Sequence, residues 1–383
     1  MGLAPHPGHL ALVESLHERG LLDTEWYRVW LGVPRAAFVP ETAWRQTPAG
    51  CVPVTGDGRL ALLHSDEPVV TQLDDGRLDG PGVATCSNSQ PSMVARMLRV
   101  LDLRDGHRVL EVGTGTGHLA ALLCERVGDR NVHTVEVDAA LADRAARALS
   151  AAGYAPHTVH GDGAWGLPGA GPFDRIVVTC GVRRVPPDLL AQLRPGGVLV
   201  APLYRDFWSG ALVRLTAGTG AVSEGRFHGG ASYMPMRSHR AADDAAGVDG
   251  ATARRRAGAL PPARLLDLGF ALYAGARLPG VRAWHSGEGD GAEFWCQDGA
   301  GSAAHAAARE VWEYGPRDLW REVERVEAEY AGLGRPSADA FGLTVTAGGQ
   351  RLWLASPRRV VGPAPWATGG VGAGPPGGGG VGG

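Results

Sequence analysis

Gly113, Gly115 and Gly117 stand two residues apart where an apolar run, Val109-Leu110-Glu111-Val112, meets a helical pattern beginning near Leu119. Glycine lets a backbone turn tightly and approach a ligand where any side chain would collide. The helix start behind the turn leaves unpaired N–H groups facing that ligand. With Thr114, Thr116 and His118 between and after the glycines, the stretch reads as a cradle for a nucleotide-bearing cofactor, the plainer reading being an ordinary tight turn. A dinucleotide fingerprint needs glycine or alanine three residues after its second glycine. Here that position is His118, so a nicotinamide cofactor loses ground.

Other candidates follow in chain order. The strand pattern Asn131–Val137 ends at Glu136, about 20 residues past the turn, where an acid can accept hydrogen bonds from both ribose hydroxyls. Val137 lies beside it, and Asp138 suits the cap of a helix over Ala139–Ala151. Gly161-Asp162-Gly163 closes a third strand, His157–His160, where an adenine would lie; a simple turn is the alternative. Thr179 ends a fourth, nearly all-apolar strand from Phe173. Upstream, Thr85-Cys86-Ser87-Asn88-Ser89-Gln90-Pro91 leads into a helix to Leu101, with Asn88 or Ser89 as cap and Pro91 in the first turn.

The elements that would position these residues alternate. Strands ending at 112, 137, 160, 179 and 203 alternate with helices, and Ala211–Leu215 and Val222–Phe227 form a closing antiparallel pair. That order implies an α/β, doubly wound sheet with an antiparallel edge hairpin. Two helices are expected between Pro7 and Leu31. Residues 47–82 read as loops and short strands, with Asp74-Asp75-Gly76 as a solvated turn. The expected organisation is residues 1–84 packed on a core at 85–238, a linker at 239–262, a smaller C-terminal α+β domain at 263–361, and a disordered Gly/Pro tail at 362–383. In the C-terminal domain, Arg317–Tyr330 is an amphipathic helix, and 343–346 with 351–354 form a hairpin.

A formal net charge of −3 gives no basic face for nucleic acid. All basic residues apart from histidine are arginine. Cys51, Cys86, Cys124, Cys180 and Cys296 are scattered, without the spacing of a zinc site or a disulfide framework. No apolar run is long enough to span a membrane. The expectation is a cytoplasmic protein without metal, nucleic-acid or membrane partners.

The apolar-apolar-Glu-apolar-Gly-x-Gly-x-Gly pattern resembles the first motif of S-adenosylmethionine-dependent methyltransferases. Further motifs narrow the resemblance to the protein-L-isoaspartate O-methyltransferase family. They are Arg35-Ala36-Ala37-Phe38-Val39-Pro40, Pro91-Ser92-Met93-Val94-Ala95, His160-Gly161-Asp162-Gly163, Pro172-Phe173-Asp174 with Val177-Val178-Thr179, and Leu193 to Pro202. The resemblance implies a Rossmann-like methyltransferase sheet and S-adenosylmethionine as cofactor. It places Glu111 at the methionine end, Glu136 at the ribose, and Asp162 with neighbouring backbone at the adenine. The family's Thr-Ile-Ser-Ala-Pro-His is here two residues longer and has Ser92 in the His position. Its substrate-side serine falls on Ser89 when aligned from Pro91, the preferred choice, and on Ser87 when aligned from Thr85. The segments Cys51–Gly82 and Leu265–Pro357 are additional, and resemble longer actinobacterial members associated with lanthipeptides and other ribosomal peptides. That branch implies esterification of an aspartate in a cyclised precursor peptide, leading to aspartimide and isoaspartate, with the domain at 263–361 implied to recognise the peptide. Undiscriminating repair of isoaspartyl proteins is the alternative within the family, and a cofactor-binding peptide scaffold without catalysis the alternative outside it.

Overall fold

The computed structural model describes residues 6–240 and 253–362. Helices α1 (Pro7–Glu18) and α2 (Thr24–Gly32) open the chain. Strands β1 (Ala43–Thr47) and β2 (Gly50–Val54), helix α3 (Gly56–Leu63), and strands β3 (Val69–Leu73) and β4 (Ala84–Asn88) follow. An alternating series comes next: α4 (Pro91–Leu101), β5 (Val109–Val112), α5 (His118–Val127), β6 (Val132–Glu136), α6 (Ala139–Ala151), β7 (His157–His160), β8 (Phe173–Val178), α7 (Pro187–Ala191) and β9 (Leu193–Arg205). Long strands β10 (Trp208–Ala217) and β11 (Ser223–Gly230) complete the predicted antiparallel pair.

The main sheet begins at β5. From there the chain steps outward to β6 and β7, then returns to the other side of β5 through β8 and β9. All these neighbours pair in parallel. The order therefore reverses between β5 and β8, and a crevice forms at such a switch point beyond the carboxyl ends of the strands. Those ends are Val112, entering the glycine turn, and Val178, entering Thr179. Each central strand is buried on both faces, which is why it reads as an unbroken apolar run. Val109 and Val177 face one core with Leu98 and Leu122, whereas Leu110, Val112, Ile176 and Val178 face the other.

The N-terminal region holds more structure than its composition suggests. The stretch expected to be loops and short strands contains helix α3, whose buried Leu62 and Leu63 anchor it despite Gly56 and Gly58. A four-stranded antiparallel sheet, β2-β1-β3-β4, carries Thr85–Asn88 along its edge. Asn88 and Ser89 therefore do not cap α4: the cap position is Gln90, without a side-chain hydrogen bond, and Pro91 opens the helix as expected. Nor is Asp74-Asp75-Gly76 a solvated turn. Asp74 is buried and accepts hydrogen bonds from the Gly82 and Val83 amides, while Asp75 holds two arginines described below.

Beyond residue 252 lie β12 (Arg254–Ala257), α8 (Leu268–Arg277), β13 (Arg282–Ser286), β14 (Glu293–Gln297), β15 (Ala303–Ala307), β16 (Glu310–Tyr314), α9 (Leu319–Gly332), β17 (Phe341–Thr346) and β18 (Gly349–Leu354). Part of the expected 239–262 linker is thus a strand: β12 edges a five-stranded sheet ordered β12-β16-β15-β14-β13. Residues 241–252 of that linker, and the tail from 363 on, lie outside the described residues. The hairpin β17–β18, assigned by sequence to a separate C-terminal domain, instead adds to the main sheet beside β11, making it nine-stranded. Its apolar positions Phe341, Leu343 and Val345 complete the same core as Ile176 and Leu199, so the hairpin buries its apolar face against β11. The predicted edge pair β10–β11 therefore lies inside the sheet.

Phe341 is fully buried in this shared core. Phe341→Ala should cost about 3–5 kcal/mol and reduce hydrogen-exchange protection of β9 and β10 amides. Unchanged protection there would mean that the hairpin unfolds independently.

Candidate active site

A cleft of about 1120 Å³, open mouth included, occupies the switch point. This is the scale of small-molecule sites, ~300–1,000 Å³. Its floor is the glycine turn, whose three glycines have φ of 98°, 55° and 85°. A Cβ on Gly113 would lie 2.6 Å from Thr179 Oγ1, and one on Gly163 would lie 2.4 Å from Val112 Cγ1. The cradle is thus made by missing side chains. The Thr179 hydroxyl seals it by donating to the Gly113 carbonyl at 2.7 Å.

Glu136, at the end of β6, is buried; its carboxylate accepts from the Gly115 amide at 2.9 Å and the Asp138 amide at 3.1 Å. A carboxylate offers about four acceptor positions, so Glu136 can still receive a diol. Asp138 caps α6 as expected, accepting from Ala140 and Leu141. Val137, Asp162 and Gly163 line the cleft. Gly161 and Gly117 do not. The Gly161 amide bonds the Glu136 carbonyl, and Gly117 closes the turn onto Thr114.

Glu111 lines the inner end and is fully enclosed. The Thr134 hydroxyl donates to it at 2.7 Å, and the Thr114 and Thr134 hydroxyls lie 2.6 Å apart. Burial pushes its carboxyl up to about 8, so in the ligand-free protein it is mostly protonated near neutral pH. A buried acid without an ion-pair partner among the described residues suits a ligand bringing an ammonium group. Together with the diol acceptor and the side-chain-free floor, it fits S-adenosylmethionine.

His118 was expected to face the cofactor. It lines the cleft, but its ring reaches into the N-terminal helices, with Nε2 3.1 Å from the Val33 carbonyl and Trp30 packed edge-on. Burial pushes its pKa down to about 3. Its side chain locks the turn to the N-terminal region.

The opposite wall comes from two distant segments. One is β4 with Ser89: Ser87 and Ser89 both line the cleft, and Asn88 Nδ2 donates to Thr116 Oγ1 at 3.0 Å. The other runs from Tyr233 to Arg240. Half-buried Tyr233 lines the same wall and its hydroxyl donates to Met97 Sδ at 2.9 Å, whereas the Ser87 hydroxyl has no partner among the described residues. Arg237 binds Asp75 at 3.1 Å and Asp138 at 2.7 Å, and Arg240 adds a bidentate pair to Asp75. Burial pushes the Asp138 carboxyl up, but hydrogen bonds from Arg237 and Gln72 outweigh this and bring it to about 2. Sequence reasoning missed Tyr233, Arg237, Arg240 and the role of Asp75, because nothing local links positions so far apart. Cys86 and Cys180, also in the wall, are pushed by burial to about 11 and about 12, so neither is a thiolate nucleophile near neutral pH.

A doubly wound parallel sheet, a glycine cradle at its switch point and an acid closing the next strand define an S-adenosylmethionine-dependent methyltransferase. Comparison with known proteins narrows the class. Residues 80–239 match the family model "Protein-L-isoaspartate(D-aspartate) O-methyltransferase (PCMT)". The chain is 34% identical over 227 residues to a protein-L-isoaspartate O-methyltransferase of Methanosarcina mazei, covering 59% of this chain and 81% of that one. It is 49% identical over 198 residues to one from Ignicoccus hospitalis, covering 51% and 81%. A solved structure described as a protein-L-isoaspartate O-methyltransferase superposes with a TM-score of 0.53 at 20% identity, over 90% of this chain and 99% of that one, and supports the fold. The chain belongs to the protein-L-isoaspartate O-methyltransferase family. It is an enzyme of the EC 2.1.1 class whose cofactor is S-adenosylmethionine. No helix among the described residues is long and apolar enough to cross a membrane.

The Glu111 carboxyl gives a test with a definite sign. A carboxyl raised above its unfolded value favours folding below that value, and the benefit is lost as pH rises through about 8. Glu111→Gln should therefore raise the melting temperature of the ligand-free protein at alkaline pH. The same change should weaken S-adenosylhomocysteine binding about tenfold and abolish proton release on binding at neutral pH. Calorimetry in buffers of different ionisation enthalpy reads that release; equal release in wild type and variant would exclude Glu111 from the amino end.

Proposed function

We propose that this methyltransferase esterifies an aspartyl side-chain carboxylate in a peptide, a lanthipeptide-type precursor already constrained by its rings, and so commits that residue to aspartimide and isoaspartate. The observation that carries the carboxylate acceptor is the missing imidazole base. Among the described residues the one histidine lining the cleft, His118, is neutral near neutral pH with its ring bonded to Val33. An alcohol or ammonium acceptor needs a base to take its proton. A carboxylate, with a reference pKa of about 4, is already ionised at neutral pH.

When bound, S-adenosylmethionine supplies a sulfonium methyl open to attack by an oxygen lone pair. The residues of this chain align and exclude. Glu111 holds the amino end, Glu136 the ribose hydroxyls, and Asp162 with Gly163 the adenine edge. Ser87 and Ser89 face the acceptor side, Ser87 with a hydroxyl left to donate to a carboxylate oxygen. Orientation alone is worth several kcal/mol when the attacking atom is held at about 3–3.5 Å. In the product, the backbone nitrogen on the carboxyl side attacks the ester carbonyl, methanol leaves, and a five-membered imide forms; water opens it at either carbonyl.

Support for a constrained peptide comes from the region beyond residue 252, which adds a five-stranded sheet and α9 to the fold. The repair reading keeps one observation in its favour: the curated relatives bear the isoaspartate name. A peptide acceptor also fits a cytoplasmic setting.

The test is incubation with S-adenosylmethionine and peptides containing Asp or isoAsp, linear or ring-closed. Gain of one methyl followed by methanol loss, faster on a ring-closed Asp peptide, is expected. Equal or faster turnover of short linear isoAsp peptides would favour repair, and no turnover of any would remove the proposal. Ser87→Ala should lower kcat/KM about tenfold, a loss of ~1.4 kcal/mol, with S-adenosylhomocysteine affinity unchanged. An unaltered kcat/KM would move the acceptor contact to Ser89.

A further inference from the structure

The loop between β3 and β4, residues 74–83, is built as a unit of its own. The buried Asp74 carboxylate accepts from the Gly82 and Val83 amides at 2.8 and 2.9 Å, and the Asp74 amide donates to the Val83 carbonyl at 2.8 Å. A Cβ on Gly80 would lie 2.3 Å from Asp74 Cγ, so the loop closes tightly around that one side chain. Its ties to the rest of the protein are of another kind. Its apolar side chains, Leu78, Pro81 and Val83, are all exposed and do not fasten it to a core. Asp74 and Asp75 both adopt left-handed backbone, with φ of 51° and 56°, a conformation that surrounding contacts must maintain in a residue with a side chain. Where the loop joins the sheet, the β3–β4 register shifts twice, between Val70 and Gln72 and between Gln72 and Leu73. Such irregularities bend a strand and interrupt its ladder, which supplies a hinge.

What holds the loop against the cleft is charge. The Asp75 carboxylate takes a forked pair from Arg240 at 2.6 and 2.9 Å, and Arg237 Nε lies 3.1 Å from it. Hydrogen bonding from Arg240 holds that carboxyl below the usual carboxylate range, so the contact is ionic near neutral pH. Both arginines line the cleft. Arg237 Nη2 continues to Asp138 at 2.7 Å, two residues past Glu136, and Ser238 Oγ lies 3.4 Å from Asp162 Oδ1. A second arm runs back to the hinge. Asp138 accepts from Gln72 Nε2, Gln72 Oε1 from the Thr85 hydroxyl, and Thr85 Oγ1 from the Asp75 amide, each at 3.0 Å. Asp75, Arg237, Asp138, Gln72 and Thr85 thus close a ring of hydrogen bonds beside the residues assigned to ribose and adenine.

We propose that residues 74–83 form a latch at the adenosine end of the cofactor site, closed by Asp75 on Arg237 and Arg240, and that its release sets the rate at which S-adenosylmethionine enters and S-adenosylhomocysteine leaves. Asp75 lies outside the cleft lining and is a positioning residue that acts through the two arginines. A self-contained loop on a bulged hinge, held shut by partly exposed ion pairs, opens without disrupting a hydrophobic core, and moving lids are drawn from such weakly anchored elements. The inference needs only the cofactor site and holds whichever peptide is the acceptor.

The full chain is immobilised, and association and dissociation of S-adenosylhomocysteine are followed by surface plasmon resonance in wild type and Asp75→Asn. Asparagine tolerates left-handed backbone as aspartate does, so the change removes the charge alone. A latch governs passage in both directions. Asp75→Asn should therefore raise both rate constants about tenfold and leave Kd within about twofold, which also shows that the variant is folded. Raising KCl from about 0.05 to about 0.5 M should speed exchange in the wild type and much less in the variant, because partly exposed ion pairs are screened. Arg240→Gln should speed exchange by a similar factor, and the double variant no further than either single change. Unchanged rate constants in Asp75→Asn would overturn the latch. Faster release with an equal loss of affinity would overturn it too, making the loop an ordinary part of the binding wall, as would independent, multiplying effects in the double variant.

Discussion

The carboxylate of Glu136 is the knot of the site. It receives one amide from the glycine turn and another from the start of α6, so one side chain fixes the floor of the cleft against the next strand. A carboxyl group so enclosed is tolerated only when hydrogen bonds replace its water. Here backbone amides do this, and their positions are set by the parallel pairing of β5 and β6. Loosening that pairing would misplace the cradle and the acid together. The turn depends on Glu136 in return, since three residues with positive φ have little local preference for one conformation over another.

Around this knot the cleft is assembled from pieces distant in sequence. The floor belongs to the parallel sheet, one wall to the N-terminal antiparallel sheet, and the other to the segment after β11. Arg237 and Arg240 hold the walls together by bridging to Asp75 and Asp138. Since Asp138 also caps α6, the clasp ties the wall carrying Ser87 and Ser89 to the helix that follows Glu136. Three polypeptide segments must be correctly placed before the cleft has a closed shape, and catalysis by alignment depends on that shape.

Much of the cofactor side was legible from local chemistry. The positive-φ turn shows as glycines at fixed offsets, the doubly buried strands as unbroken apolar runs, and the α6 cap as an acid before a helix. What escaped was non-local. Helix α3 contains two glycines in its first turn, unfavourable by about 1 kcal/mol each, and is held by Leu62 and Leu63 in a core that no nearby sequence announces. Asp75 looks like any turn acid until Arg240, 165 positions away, is beside it. His118 fits the motif by position, yet its ring is claimed by Val33. The hairpin at 341–354 was recognised as a hairpin but not as part of the main sheet, because alternation reveals a strand's faces and says nothing of its neighbour.

The most direct test of the central claim is a calorimetric titration of the full chain with S-adenosylhomocysteine, repeated on Glu136→Ala. One site per chain in the wild type, weakened at least about tenfold in the variant, or ~1.4 kcal/mol, is the predicted result. Equal affinity in the two proteins, or no binding to the wild type, would contradict the placement of the cofactor on Glu136 and the glycine turn.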